Sequence, residues 1–155
     1  MTLYHSTYAS GAQVQPVPMG AGEVCRVRAV YAVTAAIAGA ANDIIEMVGL
    51  PPGCEVVDVI LDSDDLDAHG TPTIDVDVGI MSGAWQEVDA SRTCGDEFLD
   101  GDTTPRAGGV ARPSLASAFR VAKSDAWRGI GVKIAAAAAT GQLGSIGLTV
   151  CYASA

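Results

Sequence analysis

Strict alternation of apolar and polar residues is the feature that most constrains how this chain can fold. In residues 73–80, TIDVDVGI, isoleucine and valine alternate with Asp75 and Asp77. The same period of two runs through residues 23–33 and 55–61. Because successive side chains of a β-strand point to opposite faces, this pattern predicts strands with one buried face.

Seven segments are predicted as strands, and turns that contain Gly and Pro, such as GLPPGC, separate some of them. Alanine-rich stretches such as IAAAAA favour helices by propensity, yet they lie within strand-like patterns. A chain of 155 residues fits one domain. The prediction is an all-β, single-domain β-sandwich or small barrel, and a jelly-roll-like sandwich is favoured. The predicted strands are residues 23–33, 43–48, 55–61, 73–80, 118–123, 129–137 and 145–153.

Two connections between strands are predicted in more detail. Residues 81–113 are rich in Gly, Asp, Thr and Pro, so they are expected to be irregular, with one short helix or strand near residues 89–98. The stretch TGQLG between the last two predicted strands has the composition of a turn. It predicts that residues 129–137 and 145–153 form a hairpin.

Residues 1–22 are predicted to be an extended N-terminal arm, which leaves residues 23–155 as the sandwich domain. Pro16 and Pro18 lack backbone donors and hold the chain extended, which excludes a central strand. The arm also carries apolar and aromatic side chains, so it is expected to pack on its own domain or on a neighbouring molecule. These side chains are Tyr4, Tyr8, Val14, Val17 and Met19.

The charge of the chain is unevenly distributed along its sequence. The net charge is −9, and residues 29–91 hold twelve acidic residues but no Lys or Arg. Residues 92–155 hold seven basic and five acidic residues. The longest basic cluster is Arg26 and Arg28, which is too small for the basic stripe that nucleic acid requires. The split suggests that an acidic face of one protomer meets a basic face of the next in a ring.

Composition and segment patterns narrow the class of protein further. Charged residues make up only 17% of the chain, which is low for a small domain and favours self-association. No apolar run of 18 residues occurs, so no membrane-spanning helix and no membrane partner are predicted. The N-terminus lacks the pattern of a signal peptide, so the chain is expected to remain at first in the cytoplasm of the cell that makes it.

The residues that usually carry catalysis or bind cofactors form no recognisable pattern. The four cysteines are far apart in the sequence and are expected to be reduced and buried. The spacing of His5 and His69 implies no Cys–His or Ser–His–Asp arrangement, and no phosphate- or dinucleotide-binding motif occurs. No enzyme activity, catalytic residue, metal or cofactor is therefore predicted. Trp85 and Trp127 are expected to be core or interface anchors rather than sugar platforms.

Seven aspartates between residues 58 and 77 leave three interpretations open. A calcium loop needs converging oxygens, but a loop that starts at Asp62 has Asp67 and Thr73 where an EF-hand has Gly and Glu. Asp75 and Asp77 share a strand face at a spacing of about 7 Å, which also fits a glycosidase pair. The favoured interpretation is structural. Asp75 and Asp77 face solvent, and the aspartates of DSDDLD accept backbone N–H groups in a turn.

Three stretches of the sequence form a recognisable combination: GEVCRVRAVYAVTAAIAGAANDIIEMVGLPPGCEVVDVILDSDDLD, IDVDVG and FLDGDTTPRAGGVARP. They contain NDIIEM before a Pro-rich turn, SDDLD before an alternating strand that ends in DVG, and an F-x-D-G-x-T stretch that leads into AGG. Together they resemble the head decoration, or cement, proteins that tailed bacteriophages encode beside the major capsid protein. The resemblance spans most of residues 22–152, and its motifs are structural.

The resemblance implies a homotrimeric β-sandwich that binds the outer surface of the virion capsid, with the major capsid protein as its partner, and clamps neighbouring capsomers. It assigns no contact residues, so we take the arm as the hypothesis, with Tyr4, Tyr8, Val14 and Val17 as candidates. Removing residues 1–20 is expected to leave the fold intact and to weaken head binding. The alternatives are a carbohydrate- or ligand-binding module of a phage tail or fibre, a cupin-type enzyme, and a tail-tube or head–tail connector protein.

Overall fold

Two β-sheets pack face to face in the structure, a computed structural model that describes residues 1–154. The helical elements of these residues are α1 (Ala35–Ala38) and two 3₁₀ turns, Thr104–Arg106 and Ala116–Phe119. No helix in this part of the chain is long and apolar enough to cross a membrane. The strands are β1 (Leu3–His5), β2 (Val24–Val33), β3 (Ile44–Leu50), β4 (Cys54–Ser63), β5 (Asp75–Ile80), β6 (Leu99–Asp102), β7 (Gly109–Ala111), β8 (Arg128–Ala136) and β9 (Gly144–Ser154).

The strand order makes the sandwich a jelly roll. The β2 sheet has the order β2-β9-β4-β7, and the β3 sheet has the order β1-β3-β8-β5-β6. Among the strands of residues 1–154, only β1 pairs in parallel, with β3. The strands β2·β9, β3·β8, β4·β7 and β5·β6 form antiparallel pairs that follow one another along a single long hairpin. This hairpin is wrapped so that successive pairs alternate between the two sheets, which is the jelly-roll topology. The prediction of an all-β, jelly-roll-like sandwich is confirmed.

The core between the sheets is built from the apolar side of the alternating strands. Along β9, every second side chain is fully buried, and these are Ile146, Leu148, Val150 and Tyr152. Each fully buried aliphatic side chain favours the folded state by about 1.5–3 kcal/mol. The face that alternation predicts to be buried in residues 145–153 is therefore the face that meets the opposite sheet.

The outer face of the β3 sheet is covered by residues 81–98, which lie close against it because several glycines leave room there. A Cβ atom at Gly49 would lie 2.7 Å from Cε2 of Trp85, a distance that real side chains do not adopt. The other glycines on which this segment packs are Gly79, Gly129 and Gly131. Side chains on this outer face are therefore shielded from solvent although they point away from the core.

Six of the seven predicted strands are present with small shifts at their ends, but the segment 118–123 is not a strand. A 3₁₀ turn, Ala116–Phe119, occupies its start. Ala118 is buried, whereas Phe119 is largely exposed, so alternation in this segment does not produce a buried face. The prediction failed because a period of two stabilises a strand only where a neighbouring strand and a core are available.

Two predictions about connections are also wrong. Residues 129–137 and 145–153 do not form a hairpin, because β8 pairs with β3 and β5 in one sheet while β9 pairs with β2 and β4 in the other. Residues 89–98 contain neither a helix nor a strand, and only an isolated bridge joins Cys94 to Met81. The strands β1, β6 and β7 were missed because three or four residues are too few to show a period.

Candidate interaction surface

The N-terminal segment, residues 1–22, is fastened to the sandwich at its start. Strand β1 pairs with β3, and the backbone N–H of Ser6 continues the pairing by donating to the carbonyl of Glu46 at 2.9 Å. The Asp43 carboxylate accepts the backbone N–H of Thr2 at 2.6 Å. Part of the predicted arm is therefore integral to the β3 sheet, while a boundary between residues 22 and 23 stays a prediction.

Gln15 fastens the same segment again near its middle. Its Oε1 accepts the backbone N–H of Gly49 at 2.9 Å, and its Nε2 donates to the carbonyl of Gly49 and to Oη of Tyr152. The amide thus satisfies a backbone N–H and C=O at the end of β3, as a neighbouring strand would. The Tyr152 hydroxyl in turn donates to the carbonyl of Pro16 at 2.6 Å.

A groove of about 710 Å³ lies between this segment and two loops of the sandwich. Val14 is 92% exposed and Val17 49% exposed, so the segment presents apolar side chains between and beyond its anchors. Trp85 and Trp127 are half-buried and both contact the space above Gly49, because that glycine leaves the sheet surface open to them. The residues that line the groove are Tyr8, Gly11, Gln13, Val14, Gln15, Val17, Ala84, Trp85, Gln86, Ala126 and Trp127.

Three of the four arm residues singled out from the sequence meet in this groove, namely Tyr8, Val14 and Val17. Tyr4 does not line it. Its ring packs against Tyr31 at a centroid distance of 6.0 Å, and its hydroxyl donates to Asp43 at 3.3 Å. Whether any of the four contacts a capsid stays a prediction. The two tryptophans of the groove carried no signal that would place them together, because they are distant in the sequence.

A buried ion pair fastens the covering segment 81–98 to the β3 sheet. Glu46 is fully buried, and its Oε1 accepts a hydrogen bond from Arg92 at 2.6 Å. Arg92 also donates to the carbonyls of Ser82 and Glu87, at 2.7 and 2.8 Å. Nδ1 of His5 lies 3.1 Å from Oε2 of Glu46, without the alignment of a hydrogen bond. The glutamate therefore connects β1, β3 and the covering segment.

Asp67 has a structural role in the aspartate-rich loop. Burial on its own would raise the pKa of Asp67, but backbone N–H groups of Thr140, Thr73, Ala139 and His69 donate to the carboxylate and hold its pKa well below the ordinary value. Asp64 and Asp65 also accept backbone N–H groups, from Ser145 and Asp67. The prediction that the aspartates of DSDDLD accept backbone N–H groups in a turn is therefore confirmed for Asp64, Asp65 and Asp67, but it is wrong for Asp62, which lies in β4 and pairs with Arg28.

Asp77 contradicts the prediction that both strand aspartates face solvent. Its carboxylate is buried and accepts two hydrogen bonds, one from the backbone N–H of Gly101 at 2.9 Å and one from Nζ of Lys133 at 3.1 Å. Its side chain does point away from the core, but the backbone of β6 at Gly101 and the side chain of Lys133 on β8 lie against it. Asp75 remains half-exposed, 3.8 Å from Arg106. Across residues 1–154, no cluster of three or more His, Cys, Asp or Glu is arranged to hold a metal ion.

The charge split along the sequence is partly neutralised inside the protomer. The jelly roll places strands from the acidic part of the chain beside residues from the basic part. The resulting ion pairs are Arg92–Glu46, Arg106–Asp75, Arg112–Asp58, Lys123–Glu55 and Lys133–Asp77, and Arg28, which precedes both parts, pairs with Asp62. The split therefore gives no independent support to a ring of alternating faces.

The fold and this surface together define a jelly-roll protein with structural carboxylates and a partly apolar groove beside its N-terminal segment. No protein-family model matches the chain, and no curated protein matches it. Among solved structures, the chain is similar to a chain of the capsid of Ralstonia phage GP4, with a TM-score of 0.91 and 44% identity over 99% of both chains. The chain therefore belongs to the phage capsid proteins, and it is a structural component of the virion.

Two further solved structures share the fold. A chain of the cyanophage Pam1 capsid asymmetric unit matches 93% of this chain and 96% of its own length, with a TM-score of 0.63 and 24% identity. A chain of the acidic stable capsid of Helicobacter pylori bacteriophage KHP30 matches 84% of this chain and 93% of its own length, with a TM-score of 0.52 and 18% identity.

Proposed function

We propose that the protein decorates the outer surface of a phage capsid as a homotrimer and stabilises the contacts between capsomers of the major capsid protein, without catalysing a reaction. The observation that carries this proposal is the 44% identity over 99% of both chains with a protein of the Ralstonia phage GP4 capsid. Because the similarity covers the whole chain, a capsid role applies to the complete jelly roll rather than to an added module.

The groove supports the arm as the main contact with the shell. Two half-buried tryptophans and the exposed Val14 and Val17 give it the combination of aromatic and aliphatic side chains that interfaces bury at their centre. The anchors at Asp43 and Gln15 hold the segment in place before binding. A preorganised segment loses less conformational freedom when it docks.

The test is the binding of purified protein to phage heads that lack it, measured by co-sedimentation. We expect the wild type to bind, and we expect Val14→Asp with Val17→Asp to weaken binding by at least about tenfold, because two carboxylates would be desolvated in the contact. Leu143→Asp is the matched control, since Leu143 is 77% exposed but lies outside the groove. Removal of residues 1–20 is a weaker test, because it would delete β1, which pairs with β3, and could therefore disturb the fold as well as head binding.

Light scattering of the free protein tests the homotrimer. We expect the mass of three chains, unchanged by EDTA. A monomer, or an assembly that EDTA dissociates, would contradict the proposed trimer and its independence of metal. Wild-type protein that fails to bind undecorated heads would contradict the decoration role as a whole.

A carbohydrate- or ligand-binding module is the second candidate, because Trp85 and Trp127 line one groove. The polar groups beside them are already engaged, however. Gln15 bonds to Gly49, and Nε2 of Gln86 donates to the carbonyl of Tyr8 at 2.9 Å. Sugar recognition needs such groups free. A saturable change in tryptophan fluorescence with oligosaccharides, in a protein that does not bind heads, would favour this candidate.

A further inference from the structure

The β2 sheet has one long edge with unused backbone hydrogen-bonding groups. Strand β2 is outermost, and all ten of its residues, Val24–Val33, pair with β9 without a bulge. The other edge strands, β1, β6 and β7, have only three or four residues. Natural sandwiches usually shorten, bend, cover or charge an edge of this length, because it is a template for another strand.

The pairing register shows which groups are free. The backbone N–H of Asp64 donates to the carbonyl of Ser145 at 3.0 Å, and this bond continues the ladder between β4 and β9. Because backbone groups alternate in direction along a strand, the odd-numbered residues of β9 bond to β4 and the even-numbered ones to β2. In the register between β2 and β9, the backbone N–H and C=O groups of five β2 residues therefore point toward the open edge. These are Val24, Arg26, Arg28, Val30 and Ala32.

The devices that normally protect an edge are weak here. Within residues 1–154, β2 has no proline, no bulge and no backbone hydrogen bond other than those to β9. The charge of Arg28 is paired with Asp62 through two hydrogen bonds. The two side chains meet across β9 above Gly147, which has no side chain to separate them. Arg26 is the remaining charge on this strand, and Val24 and Val30, which lie on the same face, are 58% and 49% exposed.

We propose that the open edge of β2 accepts an extended segment of the capsid shell protein as an additional antiparallel or parallel strand, an inference that rests on the proposed decoration function. A second copy of this chain fits the edge less well. Its β1, β6 and β7 are too short to cover ten residues, and its own β2 would bring arginines from two copies near each other. The segment that fits is apolar beside Val30 and carries a carboxylate opposite Arg26.

Amide hydrogen exchange at single-residue resolution, on the free protein and on decorated heads, tests the proposal directly. In the free protein we expect the amides of Arg26, Arg28 and Val30 to exchange fast and those of Val27 and Ala29 to be protected by β9. On heads, the first three become protected as well. Free-edge amides that remain fast on heads would overturn the proposal. Amides that are already slow in the isolated oligomer would assign the edge to a second copy and overturn it too.

Val30→Pro supplies an independent test, because it removes a free-edge donor and leaves the ladder to β9 intact. We expect head binding to weaken by about tenfold or more. Val30→Ala, which keeps the N–H, is the matched control and should bind within about threefold of the wild type. Equal binding of the proline and alanine variants would overturn the edge contact. If the groove variants still lose binding, the decoration function survives that failure.

Discussion

Replacing Asp67 by Asn should destabilise the protein more than any loss of surface charge would. Oδ2 of Asp67 accepts three backbone N–H groups, those of Thr73 at 2.7 Å, Ala139 at 2.9 Å and Ile74 at 3.3 Å. Oδ1 accepts two, those of Thr140 at 2.9 Å and His69 at 3.3 Å. An asparagine has one oxygen, so its amide nitrogen would face donors. Two charge-assisted bonds are lost and three become neutral, which costs about 3–5 kcal/mol of unfolding free energy.

The pH dependence of this loss separates the carboxylate from a packing effect. Because the pKa of Asp67 is lower in the folded protein than in the unfolded chain, its contribution is complete above the ordinary pKa of about 4 and is lost as the pH falls. The gap between wild type and Asp67→Asn should therefore shrink by about 1.4 kcal/mol per pH unit below pH 4. Urea unfolding followed by tryptophan fluorescence between pH 7 and about pH 3 measures it.

Asp65→Asn is the matched control for this experiment. Asp65 is exposed, and its Oδ1 accepts one backbone N–H, from Asp67 at 3.0 Å, which an asparagine oxygen can also accept. We expect a loss below about 1 kcal/mol. Equal stabilities of the two variants at neutral pH, or a gap for Asp67→Asn that does not change with pH, would refute the reasoning.

Three further predictions concern the covering segment 81–98 and the sheet face beneath it. Arg92→Leu leaves Glu46 buried without its partner and should lower the free energy of unfolding by about 3–5 kcal/mol in urea titrations. Adding Glu46→Gln to this variant removes the unpaired charge and should reduce the loss. Gly49→Ala places a methyl group 2.7 Å from Trp85, so we expect a shifted fluorescence maximum and a cost of about 1–3 kcal/mol. Cys94 is half-buried rather than buried as the sequence predicted, yet desolvation raises the pKa of its thiol to about 12. Iodoacetamide at pH 8 should therefore label it only after unfolding, as peptide mass spectrometry would report.

Much of the fold could be predicted because alternation survives wherever a strand has one face on the core. This is why β5 and β9 were found, together with the residues that they bury. The hairpin between residues 129–137 and 145–153 was a local inference from turn composition. A turn-rich connection can lead to the neighbouring strand or across to the opposite sheet, and composition does not distinguish the two.

The candidate surface was harder to predict because it depends on coverage and on distant residues. Alternation correctly predicted that the side chain of Asp77 points away from the core. It could not show that other segments cover the outer face of that sheet. Trp85 and Trp127 meet only because both pack on the space left by Gly49. The exposed Val14 and Val17 of the N-terminal segment could be singled out, since one lies between glutamines and the other between prolines, where no alternating strand would carry them into a core.

The pairing of β2 with β9 has a consequence for synthesis. Within residues 1–154, β2 pairs with β9 alone, and β9 also pairs with β4. Because β9 lies between β2 and β4, this sheet cannot close until β9 is available, and its closure depends on contacts that are distant in the sequence. A chain interrupted before β9 would lack the middle of a sheet rather than its margin, and defective subunits of this kind should be cleared by proteolysis instead of entering the particle.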